Sequence, residues 1–331
     1  MRKILPLLLC CAGCVVFQTR TSAGTDNNGE PESPVRLYRI SPGTDLAVAK
    51  PDLWGDLKKS PGDYQTFLKT SFSKNNIPVL AAIAGSTALL LANDQRIYHN
   101  TVRQGRSINL SQEDKTTPFV KAWGFPLFRG PTDLGSAIYF MGDGWVTVGL
   151  ISYFEISGAL KDDWRAIRTA HDLMKGMLLA GITSQALKRI TGRETPAAAV
   201  IPGGVWRFFP STKDYSARQS RYDAFPSGHE TNAMMTVTIL AANYPESGFI
   251  APLGYSLMAM LGFQMVNNGV HWASDYPLAI GIGYSVGKTV AAHGKTIITR
   301  SNSGGPPQTA VKFRPTILND GTLAPGLTYR F

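Results

Sequence analysis

The stretch Phe225-Pro226-Ser227-Gly228-His229 stands directly before an apolar run that extends to Tyr244. Ser227 has the side chain of a helix N-cap, and the run behind it reads as a helix. Orphan N–H groups at such a helix start, together with the helix dipole, attract anions. Ser227 and Gly228 are therefore candidate phosphate-binding residues. His229 falls in the first turn, faces the same anion and is placed to protonate a leaving oxygen. An ordinary Ser N-cap followed by an exposed histidine would give the same residues, so this motif needs company.

Two further stretches supply it. Downstream lies Asn267-Asn268-Gly269-Val270-His271-Trp272-Ala273-Ser274-Asp275. If this stretch is helical, His271 and Asp275 share one face. A carboxylate bonded to one ring nitrogen fixes the tautomer and leaves the other nitrogen as a nucleophile. Upstream, residues 188–196 (KRITGRETP) place Lys188, Arg189 and Arg193 at the end of a helical pattern. Cations there commonly balance the helix dipole. Cation, acid histidine and nucleophile histidine, each at the border of an apolar helix, together point to attack on phosphorus by a histidine.

The order and wording of these stretches resemble the type 2 phosphatidic acid phosphatase superfamily, which includes bacterial nonspecific acid phosphatases and vanadium haloperoxidases. That family's pattern is Lys, six residues, Arg-Pro; then Pro-Ser-Gly-His; then Ser-Arg, five residues, His, three residues, Asp. The resemblance spans roughly residues 130–290, with FPSGH and HWASD its most specific parts. It implies that Lys188, Ser227 and Gly228 bind phosphate oxygens and that His229 is the general acid. It further implies that His271 attacks phosphorus to give a phosphohistidine and that Asp275 orients His271. It implies no metal and no cofactor.

Two positions depart from the pattern. Thr195 stands where the family has Arg before Pro, and Gln264-Met265 replace the Ser-Arg pair. Bidentate Arg–phosphate contacts are strong. Loss of one such donor typically costs about 10²–10³ in rate. Arg193 is the expected substitute in the phosphate site, with Arg221 and a neutral donor from Gln264 as further candidates.

Bulk properties agree with an anionic partner. The chain has 331 residues and is 44% hydrophobic, and 33 Lys and Arg against 23 Asp and Glu give a charge of +10. A basic surface favours phosphate substrates or anionic lipid headgroups. No basic-aromatic cluster singles out nucleic acid. The mean hydropathy of −0.06 argues against five or six membrane spans. A water-soluble or peripheral helical domain is the favoured reading, with residues 249–266 the strongest span candidate.

Residues 1–23 read as an export signal, with Arg2 and Lys3 before an apolar stretch too short to span a bilayer. Cleavage after Ala23, or a lipoprotein signal ending before Cys14, both fit. Cys10, Cys11 and Cys14 all lie in this segment. A cysteine-free exported body suits the periplasm or the periplasmic face of a bacterial membrane.

Residues 24–61 read as a tether and a short strand at 35–40, and 62–295 as a helical phosphatase-like domain. Helices are expected at 63–74, 78–95, 132–158, 164–191, 230–244, 249–266 and 274–293. Residues 196–226 form a long loop beside the first motif. Residues 296–331 read as a linker and a β hairpin about Asn319-Asp320-Gly321, able to pair with the strand at 35–40.

The fold class expected is therefore all-α, a helical bundle of the phosphatase/haloperoxidase type with a small C-terminal β hairpin. The function expected is an exported phosphatase acting on a phosphorylated lipid or a small phosphomonoester beside an anionic membrane surface. The alternatives are a catalytically degenerate envelope binding protein and a vanadate-dependent haloperoxidase. Oligomeric state is not legible in the sequence.

Overall fold

The computed structural model describes residues 34–122, 125–299, 310–317 and 323–330, the side chains of 120–129 and 310–330 excepted. The export signal, residues 24–33 of the tether, all three cysteines and the Asn319-Asp320-Gly321 turn lie outside the described residues.

The fold is mostly helical with small antiparallel sheets. Strands β1 (Val35–Ser41) and β2 (Thr44–Ala49) form a hairpin, and β2 also pairs with β5 (Lys295–Thr299). Helices α1 (Leu53–Lys58), α2 (Ser60–Ser71), α3 (Ile77–Leu91) and α4 (Asp94–Ser107) follow. A second hairpin, β3 (Thr116–Ala122) with β4 (Phe125–Pro131), leads to α5 (Leu134–Phe140), α6 (Gly144–Lys161) and α7 (Trp164–Thr191). A long loop carries the short α8 (Thr212–Ala217) and ends at α9 (Gly228–Asn243). Helices α10 (Ile250–Asn267) and α11 (Tyr276–Ala291) complete the bundle, and β6 (Ala310–Ile317) pairs only with β7 (Leu323–Arg330).

The core is built by α7, α9 and α11. Leu173, Leu179 and Ala180 meet Met235 and Ile239, with Ile282, Val286 and Val290 filling the third side and Phe67 of α2 closing the layer. Gly283 lets α9 and α11 approach, because a Cβ there would lie 2.4 Å from the Thr231 carbonyl oxygen. Asp163 caps α7 by accepting from the amides of Arg165 and Ala166, and Gly192 ends it in the left-handed region at φ 52°. There a Cβ would lie 1.9 Å from the Arg207 carbonyl oxygen, so the position requires glycine.

Several expectations are corrected. The helix expected at 78–95 ends at Leu91, and α4 departs from it at 70°. That at 132–158 breaks into α5 and α6 around Gly142-Asp143, where Asp143 caps α6. The one expected from Ser274 begins as a 3₁₀ turn, Ala273–Asp275, so His271 is not helical. Strand β1 takes β2 as its partner, not the C-terminal hairpin. Among the described residues no single helix, α10 included, is long and apolar enough to cross a membrane. Two bent pairs pass on length and composition together: Lys74–Leu91 with Asp94–Ser107, and Leu134–Phe140 with Gly144–Lys161.

Candidate active site

The three motif stretches meet where α7 ends, α9 begins and the α10–α11 loop turns. Ser227 caps α9 by accepting the Glu230 amide, while its own amide donates to the Asp275 carbonyl at 3.2 Å. That second bond ties the first motif to the second. Lys188 lies in the last turn of α7, and its Nζ is 3.7 Å from where a Gly228 Cβ would stand. The His229 and His271 rings are 6.4 Å apart, and Tyr139 of α5 lies 4.7 Å from His229 on another side.

His271 is buried, and its Nδ1 lies 2.7 Å from the Ala224 carbonyl oxygen and 3.4 Å from Asp275 Oδ2. A carbonyl only accepts, so Nδ1 carries a proton, and Nε2 is the nitrogen left to act as nucleophile. Asp275 is itself held. Its Oδ2 accepts the Trp272 amide at 2.7 Å, and its Oδ1 accepts from Arg193 Nη1 at 2.5 Å. The His–Asp pair thus forms without the helix first expected to align it.

Arg193 is fully buried and does not join the phosphate-binding group as expected. Nη1 also donates to Ser274 Oγ at 2.7 Å, and Nη2 donates to Asp94 at 2.7 Å and to the Gly203 carbonyl at 3.0 Å. Trp206 and Trp272 cover its faces. Its two terminal nitrogens hold the loop behind Asp275, while its Nε is buried without a hydrogen-bond partner among the described residues. Gln264 is likewise turned away, donating to the Ser111 carbonyl at 2.8 Å and to Asn268 Oδ1 at 2.5 Å. Met265, in place of the family arginine, sets its sulfur 3.9 Å from Ser227 Oγ. Thr195 is buried and bonds through its amide to the Ser220 carbonyl. Arg221 is half-buried in the 3₁₀ turn Gln219–Arg221.

The sequence reading missed two carboxylates. Asp94, at the start of α4, receives Arg193 and also the Ser274 amide and hydroxyl. Asp223 accepts from Lys188 Nζ at 2.9 Å, from the Tyr215 hydroxyl and from Gln219 at 3.4 Å. Asp223 is three residues before Pro226, so proximity to the motif was its one available signal.

Burial dominates the electrostatics. It pushes the His229 imidazole down to about 3, helped by the charges of His271 and Lys188 and opposed by Asp223. It also pushes the Tyr139 hydroxyl up to about 12, with Asp114, Asp143 and Asp223 adding. The Glu230 carboxyl, buried beside His229 in sequence, rises to about 8 for the same reason. Among the described residues no group of three or more His, Cys, Asp or Glu is arranged to hold a metal ion. The arrangement offers one nucleophilic nitrogen, an imidazole opposite it, and a helix N-terminus with one lysine for an anion between them.

The PAP2 superfamily model matches residues 170–296. That stretch contains Lys188, Arg193, Asp223, Ser227, Gly228, His229, His271 and Asp275, so the family likeness covers the three motif stretches, while Asp94 and Tyr139 lie outside it. It supports a phosphatase of the PAP2 type. Among solved structures, a transmembrane PAP2 type phosphatidylglycerolphosphate phosphatase from Bacillus subtilis aligns at 16% identity, covering 71% of this chain and 94% of that one, with a TM-score of 0.38. No curated protein sequence matches the chain.

Proposed function

We propose that this protein is an exported phosphatase that hydrolyses a phosphomonoester or pyrophosphate of a lipid through a phosphohistidine at His271. The observation that carries this is the bond from His271 Nδ1 to the Ala224 carbonyl, which puts a proton on Nδ1 and so makes Nε2 the nitrogen available to attack, with the His229 ring 6.4 Å away. Nε2 attacks phosphorus, Lys188 and the α9 amides hold the phosphoryl oxygens, and His229 serves the leaving oxygen. Asp275 stabilises the imidazolium character that His271 gains. Arg193 is a positioning residue for Asp275.

The surface supports a lipid substrate. Helix α3 is apolar along its length and buries none of its residues. Helix α6 exposes Trp145, Tyr153, Ile156 and Leu160, and α10 exposes Leu253, Tyr255, Leu257 and Met260. Large exposed apolar faces mark membrane or protein contact. Where α3 bends into α4, the character changes to Arg96, His99, Arg103 and Arg106, all exposed. The last three, with Tyr98, Val102 and Gln112, line a cavity of about 450 Å³. Apolar helix followed by basic helix suits a chain resting on anionic headgroups.

A second reading is a protein that binds a phosphorylated lipid without hydrolysing it. Met265 at Ser227 and the engaged Arg193 favour it, because both deprive the site of a cation. One experiment separates the two. Purified mature protein and His271→Ala are offered p-nitrophenyl phosphate, phosphatidic acid and a polyprenyl pyrophosphate. Phosphate release lost in the variant establishes the phosphatase. No release from any substrate by a folded protein selects the binding protein.

A further inference from the structure

The His229 and His271 rings stand 6.4 Å apart, and the lysine that serves the adjoining helix start is already paired. Lys188 stands beside the Ser227–Gly228 turn, and Asp223 pairs with it at 2.9 Å. The Lys188 side chain is 6% exposed and that of Asp223 21%, so solvent does little to screen this pair. Tyr215 and Gln219 also donate to Asp223 and hold the carboxylate in place. Arg189 stacks on the ring of Tyr215. Asp223 offsets the charge of Lys188, so a phosphate dianion entering here would draw on the α9 amides and dipole with little side-chain charge behind them.

We propose that Asp223 is the specificity-determining residue of this site: paired with Lys188, its carboxylate admits a phosphoryl group as the monoanion and disfavours the dianion. The inference rests on the phosphatase reading for its chemistry, but not for its binding preference. The substrate class it names is the singly protonated phosphomonoester, the form present below a second ionisation near about pH 6.

The groups that face Asp223 fit this reading. Lys188 from α7 and Tyr215 from α8 are bonded to it, and its charge also acts on His229 of α9 and Tyr139 of α5. His229 is held neutral by burial, so in the empty site it has no proton to give. A monoanionic substrate brings that proton. His271 Nε2 forms a bond to phosphorus as the phosphorus–oxygen bond to the leaving group breaks. The P–OH proton passes by way of His229 to the leaving oxygen, which departs as the neutral alcohol. The phosphohistidine keeps the Nδ1 proton and one net negative charge, equal to that of the substrate. Water then attacks phosphorus, the nitrogen–phosphorus bond breaks, and phosphate monoanion leaves with His271 neutral again.

The test is binding of inorganic phosphate by calorimetry at pH 5 and pH 8, with kcat/KM for p-nitrophenyl phosphate over the same range. Wild type should bind phosphate several-fold tighter at pH 5 than at pH 8, following the loss of the monoanion across its second ionisation. Asp223→Asn should gain affinity at pH 8 and lose most of the difference. His229→Asn, which carries no titrating ring, should keep it. Where turnover is present, kcat/KM of wild type should fall about tenfold per pH unit above the second ionisation near about 6, and Asp223→Asn should flatten that fall. Equal wild-type affinity at the two pH values overturns the proposal without need of any variant. So does an unchanged preference in folded Asp223→Asn, or its loss in His229→Asn. A protein that shows the binding preference but releases no phosphate retains this inference and loses the phosphatase reading.

Discussion

Arg193 shows how far a residue's type can mislead about its task. A cation beside a phosphate motif reads as a clamp, yet its bonds go to Asp94, Asp275, Ser274 and the Gly203 carbonyl. Breaking a buried ion pair by removing one partner typically costs about 3–5 kcal/mol. Arg193→Gln should lose about that much stability and most of its kcat, with affinity for inorganic phosphate little changed. Arg193→Lys should recover part of the stability, since a point charge replaces only some of the fork's bonds. Weakened phosphate binding with an unchanged melting temperature would instead return Arg193 to the phosphate site. The motif residues were legible because each has a local signature, a cap, a turn or an i,i+4 spacing. Asp94 and Asp223 were not, because their partners lie on other elements, and a lone Asp in a polar stretch carries no such mark. Glu230 gives a second test. Burial raises its carboxyl to about 8, so the folded chain holds a proton that the unfolded chain releases above its ordinary value of 4.5. Stability from this group is full below about 4.5 and is lost as pH rises through about 8. Glu230→Gln should therefore gain on wild type between pH 5 and pH 8, by about 3–4 kcal/mol in chemical denaturation. A gap that does not change with pH would show that Glu230 is ionised in the folded protein.

Helix α7 works at both ends of the molecule. Its last turn carries Lys188 to the candidate active site, while its first half anchors the N-terminal elements and β5. Arg168 donates to Asp56 of α1 at 2.5 Å, and His171 Nδ1 lies 3.1 Å from the same carboxylate. Lys175 pairs with Asp63 of α2 at 2.5 Å, and Asp172 receives Lys295 of β5. Burial alone would raise the Asp56 carboxyl, but bonds from His171 and Arg168 outweigh it and hold it well below the usual carboxylate range. A depressed acid contributes stability above its unfolded value near about 3.9, and that stability is lost as pH falls through the folded value. Asp56→Asn should cost about 3–5 kcal/mol near neutral pH by leaving Arg168 unpaired. The deficit should shrink below about pH 4, where wild type loses the same contribution. A deficit no smaller at pH 2 than at pH 7 would mean that charge is not what Asp56 supplies. The bounds of α7 were legible from Asp163 and Gly192, since both caps are local. Helix α4 was not, because DQRIYHNTVRQGRS lacks an apolar face broad enough to read, and its burial comes from Asp94, Thr101 and Gly105. The pairing of β2 with β5 was hidden for a related reason, since it joins strands from opposite ends of the bundle.

At the scale of the whole molecule, the basic charge and the unburied apolar helices are one feature. A net charge of +10 alone would suit any anionic partner. Its placement is narrower: Arg96, Arg103 and Arg106 stand exposed on α4, just past the bend from α3, which exposes Ile77, Leu89 and Leu91. Exposed apolar side chains cost little to replace in water, so substitutions there leave the fold intact and report on what the face touches. Burying one such side chain contributes about 1.5–3 kcal/mol. An arginine near an anionic surface contributes about 1 kcal/mol. Full-length protein should therefore float with vesicles containing phosphatidylglycerol, and less with phosphatidylcholine alone. Leu89→Lys should weaken flotation on both. Arg96→Gln with Arg103→Gln and Arg106→Gln should weaken it only on the anionic vesicles, by about 100-fold if the three contributions add, and added salt should erase that difference. Both variants should release phosphate from p-nitrophenyl phosphate at the wild-type rate, since neither face enters the pocket between His229 and His271. Flotation that is indifferent to both sets of changes would remove the membrane from this surface and leave a protein partner as what covers α3.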